Sequence, residues 1–231
     1  MQKKYHNEKT YLDILDINPE PIGLFTFPLS KHIKYKNQLK LIYENASNDL
    51  RQEFHNEKNV QHICNISNQN LFNSFSELNE LKSDLQKFVL TYIEFLGYEC
   101  DEIIINSAWL NKSDEKSTLA YHNHCNSYIS ANYFINYNPD LHSSLTFRND
   151  RASLGRNQDF PFFKLKKSKK KSIYNSDVIN IDANEGQVIV WRSNQSHGYF
   201  EPNKANGRMT LSLNSLPRTI DDGLYKFTIS E

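Results

Sequence analysis

The sequence has no surplus of either charge. Lys+Arg and Asp+Glu number 27 each in 231 residues, a formal net charge of zero. A general nucleic-acid or membrane-surface binder needs a basic excess, so that class has no support here. Long apolar runs are also missing, and Met1 leads into Gln2-Lys3-Lys4-Tyr5-His6 rather than an apolar segment. Neither a membrane-spanning helix nor a secretory signal is expected. Cysteine is scarce: Cys64, Cys100 and Cys125 show no CxxC and no short paired spacing. A zinc knuckle and a disulfide framework are therefore not indicated, and reduced thiols in a soluble cytoplasmic protein are the reading. There is no internal repeat.

What is present suits a folded chain, with 38% hydrophobic and 13% aromatic residues. The length fits one domain, 1–231, with a single core. Residues 1–20 are polar with little periodicity. Pro21 to Leu29 reads as a short strand between prolines. Tyr35, Leu39, Ile42 and Tyr43 mark an amphipathic helix from Ser30 to about Leu50, with Leu41 off the stripe. Residues 51–75, rich in Asn, Gln and Ser, read as loop. A second helix opens at Ser76-Glu77-Leu78 and carries Leu81, Leu85, Phe88, Val89, Tyr92, Ile93 and Leu96 up to Gly97, a natural stop. Strands follow at 102–111, 128–137, 143–147, 177–183, 187–191 and 207–216, and one more at 225–229. A charged turn is expected at Lys112–Lys116 and a tight one at Glu185-Gly186. The fold class is α+β, mainly β: a sandwich or jelly roll over 99–217, N-terminal helices (1–98) packed on one sheet, a polar basic insertion (151–176) and a tail (218–231).

Chemistry concentrates in Tyr121-His122-Asn123-His124-Cys125-Asn126-Ser127 and a distant partner, His197. Residues two apart on a strand share a face, so His122 and His124 project together. Neutral imidazoles on one face suit adjacent positions on iron, zinc or copper. His197 sits in the polar turn Ser193-Asn194-Gln195-Ser196-His197-Gly198 behind an apolar strand. Eleven residues later Arg208 heads a strand in which Thr210, Ser212 and Asn214 alternate with Met209, Leu211 and Leu213. A polar face led by a buried guanidinium needs an anion, and a carboxylate cosubstrate supplies one: arginine forks it and a hydroxyl two residues away adds a bond. Trp109 and Asn111 share a face of the preceding strand, Trp109 suiting core packing and substrate stacking equally. Trp191 reads as core, while Arg192 and Asn194 reach toward the mouth. His6, His32, His55, His62 and His142 read as structural or solvent-facing.

The order Trp109, His122-x-His124, Ser130-Ala131-Asn132-Tyr133-Phe134, Leu145-Thr146-Phe147, Glu185 to Trp191, His197 and Arg208 to Asn214 resembles the iron(II)/2-oxoglutarate-dependent dioxygenases. It looks most like a small branch common in marine bacteria and their phages. The resemblance spans roughly residues 100–217. It implies a double-stranded β-helix with iron(II) at its open mouth, held by His122 and His197. Arg208 would bind the distal carboxylate of 2-oxoglutarate, helped by Thr210, and the enzyme would hydroxylate a C–H bond of a small-molecule or peptide substrate.

Two positions depart from the family pattern. His124 stands where His-x-Asp or His-x-Glu relatives place a carboxylate. It can be a third ligand, as in a metal set of His122, His124 and His197. It can also swing away for water or an anion, or yield to a carboxylate such as Asp114. Phe134 stands where relatives often have a tyrosine, so Asn132 on the same face is the alternative partner for 2-oxoglutarate. Arg192, Asn214, Trp109 and Asn111 are the candidate substrate contacts. The run Lys164 to Lys171, flanked by Phe160, Phe162, Phe163 and Tyr174, reads as a solvated loop or an anion-steering surface, which keeps a nucleic-acid demethylase in view. Two other readings stay open: a cupin-like three-histidine dioxygenase that uses no 2-oxoglutarate, and a metal-free jelly-roll binding module.

Overall fold

The computed structural model describes residues 3–7, 10–14, 20–53, 57–64, 69–148, 176 and 178–229. β1 (Lys3–Asn7) and β2 (Thr10–Ile14) pair as a separate antiparallel hairpin in the stretch that reads as featureless. Such a hairpin rests on backbone pairing and leaves no apolar alternation to detect. β3 (Gly23–Thr26) is the strand expected between the prolines. α1 (Leu29–Asn45) buries Tyr35, Leu39 and Ile42, while off-stripe Leu41 is 60% exposed. β4 (Arg51–Gln52), β5 (Glu57–Ile63) and the one-turn α2 (Leu71–Ser74) occupy the region read as loop. α3 (Asn79–Phe95) buries Leu81, Leu85, Val89, Tyr92 and Ile93, and Gly97 follows with a φ of 84°, the left-handed stop its sequence implies.

Next come β6 (Ile103–His122), β7 (Ile129–Asn136), β8 (Thr146–Arg148), β9 (Val178–Asn180), β10 (Gln187–Arg192), β11 (His197–Tyr199) and β12 (Arg208–Pro217). β13 (Thr219–Asp221) and β14 (Lys226–Thr228) form a terminal hairpin. Ten strands make one curled antiparallel sheet in the order β3-β10-β7-β12-β6-β11-β8-β9, with β5 beside β6 and β4 beside β5. The expected turn at Lys112–Lys116 does not break β6, which runs 20 residues. Its charged side chains find partners (Lys112 with Asp114 at 3.1 Å) while the backbone continues, and Lys116 takes a φ of 64°. Before that kink β6 registers with β12, Ser113 opposite Arg208; after it β6 registers with β11, His122 opposite His197. One strand thus spans both halves of the curl.

Alternation sorts the two faces. Met209, Leu211 and Leu213 of β12 and Ala131, Tyr133 and Ile135 of β7 join Tyr35, Leu39, Leu81, Leu85 and Val89 in the main core under the helices. Phe134, Phe147, Ile189 and Trp191 form a smaller core inside the curl. Arg208, Thr210 and Asn214 face inward and are still at most 3% exposed. This is the α+β, mainly β jelly roll read from the sequence. The run Lys164–Lys171, its flanking aromatics and all but the last residue of 151–176 lie outside the described residues, as does His55.

Candidate metal centre

His122 ends β6 and His197 begins β11, and their strands are registered so that the two face each other. His124 lies past the strand end. It joins them because its backbone N–H donates to the Ser193 carbonyl at 2.9 Å, folding the chain back over the site. The shared strand face expected for His122 and His124 is therefore replaced by a turn with the same result. One ligand atom from each of the three rings lies within 4.8 Å of the others, and the Nε2 atoms of His124 and His197 are 3.3 Å apart. Two nitrogens about 2.0–2.1 Å from one ion, at adjacent coordination positions, sit roughly 3 Å apart, so the spacing fits a shared metal.

The rings are held by what surrounds them. His122 Nδ1 donates to Ala120 O and His197 Nδ1 to Gln195 O, both at 2.9 Å, which leaves each Nε2 with its lone pair. Trp191 meets His197 edge-on at 4.8 Å and Trp109 lies 5.9 Å from His124 between ring centres. Burial, with the neighbouring His122, pushes His124 down to about 4 and His197 down to about 3. Both imidazoles are thus neutral at pH 7, the state a metal ligand requires.

The cavity lined by these histidines is also lined by Arg208, which is 2% exposed. Arg208 Nε donates to Ser143 O at 3.2 Å, and its guanidinium stands 4.8 Å from the Tyr199 ring centre. No carboxylate of the described residues pairs with it. A buried cation with open donors favours a bound anion. Thr210, Asn111, Asn132, Ser212 and Asn214 line the same space. Asn111 Nδ2 donates to Ser212 Oγ at 2.8 Å, while its Oδ1 and the Trp191 Nε1 are buried with no partner among the described residues. Orphaned polar atoms in a cavity mark a place built to receive polar groups.

Most sequence-derived candidates converge here, but Arg192, Asn194 and Asp114 are not in the cavity lining. Arg192 pairs with Glu20 at 3.6 Å, because its strand position points it toward the helix side. Asp114 is engaged by Lys112 and by the Gly207 N–H at 3.2 Å, so it does not complete the ligand set. Trp191 belongs both to the inner core and to the cavity wall. Sequence reasoning assigns no site role to the wall residues Glu57, Ser113 and Tyr199, and reads His62, which pairs with Glu57, as structural or solvent-facing. The spacing of Val60 and His62 was the only signal, lost in a polar stretch. His32 and His142 are structural, His32 bonding Tyr133 at 2.7 Å and His142 accepting from the Asn138 N–H at 3.0 Å.

Residues 107–214 match the family described as "Putative 2OG-Fe(II) oxygenase". No curated protein matches the sequence. Among solved structures the chain is similar to SnoN, a non-heme alpha ketoglutarate dependent epimerase from nogalamycin biosynthesis. The TM-score is 0.61 at 9% identity, over 92% of this chain and 87% of that one. It is also similar to HygX from Streptomyces hygroscopicus with nickel, 2-oxoglutarate and hygromycin B bound (TM-score 0.56, 9% identity, 86% and 83% covered). A third is a 2OG-Fe(II) oxygenase family oxidoreductase from Burkholderia pseudomallei (TM-score 0.54, 12% identity, 84% of each chain). At such identities the likeness establishes the fold, a double-stranded β-helix. The family match over residues 107–214 and the shared fold both point to a 2-oxoglutarate/iron(II) oxygenase. Iron(II) and 2-oxoglutarate are the superfamily's metal and cosubstrate, and three convergent imidazoles beside an open guanidinium fit that pair.

Proposed function

We propose that the chain is a hydroxylase in which His122, His124 and His197 hold iron(II) and Arg208, aided by Thr210, binds the distal carboxylate of 2-oxoglutarate. The observation that carries this is a buried arginine with no carboxylate partner among the described residues, in the same cavity as three convergent histidines. Bound iron(II) and 2-oxoglutarate supply the oxidation: one oxygen atom of O2 enters succinate as carbon dioxide leaves, and the other becomes the product hydroxyl. The chain's own residues bind and orient. Arg208 neutralises and aligns the cosubstrate, and its only side-chain hydrogen bond among the described residues, through Nε, leaves the fork open to it. Asn132 takes the place of the usual tyrosine, since Phe134 is 0% exposed in the inner core. The orphaned Asn111 Oδ1, Trp109 and Asn214 contact the substrate.

SnoN and HygX are described with nogalamycin RO and hygromycin B bound, so a small molecule is our choice over a peptide. Nucleic acid is disfavoured by the balanced charge. We assign the chain to the marine bacterial and phage branch on its motif order, and read 1–231 as one cytoplasmic domain with free Cys64, Cys100 and Cys125. No helix of the described residues is long and apolar enough to cross a membrane.

Succinate formation from 2-oxoglutarate in aerobic, iron(II)-loaded protein tests this reading. Truncating one partner of a buried charge pair costs about 2–5 kcal/mol, so Arg208→Ala should raise the 2-oxoglutarate requirement by roughly 30-fold or more. Iron uptake with no succinate at any 2-oxoglutarate concentration would favour the three-histidine dioxygenase, and no iron uptake a binding module.

A further inference from the structure

Glu57 and His62 of β5 share the wall of the cavity that holds the three histidines and Arg208. Five residues apart, they would project to opposite faces of a uniform strand. Asn59 between them takes a φ of 55° where the register against β6 shifts, and its Nδ2 donates to Glu115 O at 3.0 Å. Asparagine tolerates that left-handed backbone. The break in alternation leaves both side chains facing inward, and the Glu57 carboxylate accepts from His62 Nε2. The Glu57 side chain is 13% exposed, and its second oxygen, Oε1, has no hydrogen bond or ion pair among the described residues. Glu57 is also the sole acidic residue of the described lining. A carboxylate largely withdrawn from water, with one oxygen unused, favours a further donor, and a charged donor most.

Strand register sets this pair apart from the seat of the cosubstrate. His62 lies opposite Asn111 and Asn111 opposite Thr210, one row across β5, β6 and β12; Val60, Ser113 and Arg208 form another. Neighbouring strands are about 4.8 Å apart, which puts the β5 wall roughly 10 Å from the wall of Arg208 and Thr210. The cavity is therefore polarised, with a guanidinium on one side, a carboxylate on the other and Asn111 between them. Asn111 Oδ1 is a second acceptor with no partner among the described residues. A hydroxyl has a single hydrogen to offer two acceptors, whereas an ammonium group has three. We propose that Glu57, held in place by His62, binds a cationic amine of the substrate, with Asn111 Oδ1 as the second acceptor. Taking the occupant as the substrate rests on the oxygenase function proposed above. Arg208 then holds the anionic cosubstrate and Glu57 the cationic substrate, and like charge keeps each ligand out of the other's seat.

The test uses metal-free protein, where an amine has no ion to coordinate, and two matched probes: hexylamine, cationic at neutral pH, and hexanol of nearly the same shape. NMR titration should show hexylamine binding about 10- to 100-fold more tightly than hexanol. Glu57→Gln, which keeps the shape and an acceptor oxygen but not the charge, should abolish that preference. In the unmodified protein the methylene beside the hexylamine nitrogen should give nuclear Overhauser contacts to the His62 ring. That placement is read whether or not the variant folds. The proposal is overturned if the two probes bind alike, if Glu57→Gln keeps the preference, or if the contacts fall elsewhere. Glu57 and His62 would then be a structural pair. None of these readouts involves iron or 2-oxoglutarate. Loaded protein that forms no succinate would overturn the oxygenase reading and leave an amine site standing, whereas succinate formation without any amine preference would overturn this proposal alone.

Discussion

At the residue scale the site depends on imidazoles kept uncharged by burial. Folded His124 and His197 take up protons only near 4 and 3, well below the ordinary 6.5. Between those values the unfolded chain binds more protons than the folded one, so stability falls as pH falls. Metal-free protein should be fully stable above about pH 6.5 and lose stability already between roughly pH 6.5 and 5, before most carboxylates titrate. Urea midpoints across that range check this, and His197→Gln should flatten the trend; a midpoint that holds level from pH 7 to 5 contradicts it. The three histidines and Arg208 were legible in the sequence because their chemistry is unusual on a strand face. Arg192 misled because an arginine next to an apolar strand looks the same whether it points into the curl or, as here, out toward Glu20.

At the element scale the centre depends on β11 lying close against β6. A Cβ on Gly198 would stand 2.7 Å from Leu119 O and 2.9 Å from Ala120 O, both backbone atoms that cannot give way cheaply. Gly198→Ala should separate the strands that set His197 opposite His122, costing about 1–3 kcal/mol and weakening metal affinity. Calorimetric metal titration alongside a thermal melt checks both effects. A second clamp joins α1 to α3: Asp84, 8% exposed, accepts from Lys31 at 2.5 Å and from Tyr35 at 2.7 Å. Burial alone would raise its pKa, but those partners together hold it below the usual carboxylate range. Asp84→Asn should cost about 1–3 kcal/mol, read as a lowered urea midpoint, with 2-oxoglutarate binding unchanged. α3 was readable because eight apolar residues repeat at helical spacing. β5 was not, since a strand gripped on both sides by backbone bonds needs no apolar alternation, and so the place of Glu57 and His62 on the cavity wall was not readable either. Nor was the continuity of β6 through Lys112–Lys116 readable, because outward-facing charges on a strand look like a turn.

At the scale of the whole molecule, helices cover the outer face of a curled sheet and leave its inner face for polar groups. That division was visible in advance from β12 alone, whose apolar residues enter the main core while Arg208, Thr210 and Asn214 face the cavity. Ligands that bind only the folded state stabilise it by mass action, by about 2.7 kcal/mol at a hundredfold excess over Kd. For a chain of this size that is roughly 5–10 °C in Tm. Iron(II) and then 2-oxoglutarate should each add to Tm under anaerobic conditions, and Arg208→Ala should keep the first increment and lose the second. The most direct test of the central claim is anaerobic titration of the iron(II)-loaded protein with 2-oxoglutarate, following the visible charge-transfer band of the chelate. The account predicts a band in the unmodified protein that needs at least about 30-fold more 2-oxoglutarate in Arg208→Ala. Iron bound without a band, or a band indifferent to Arg208, would contradict it.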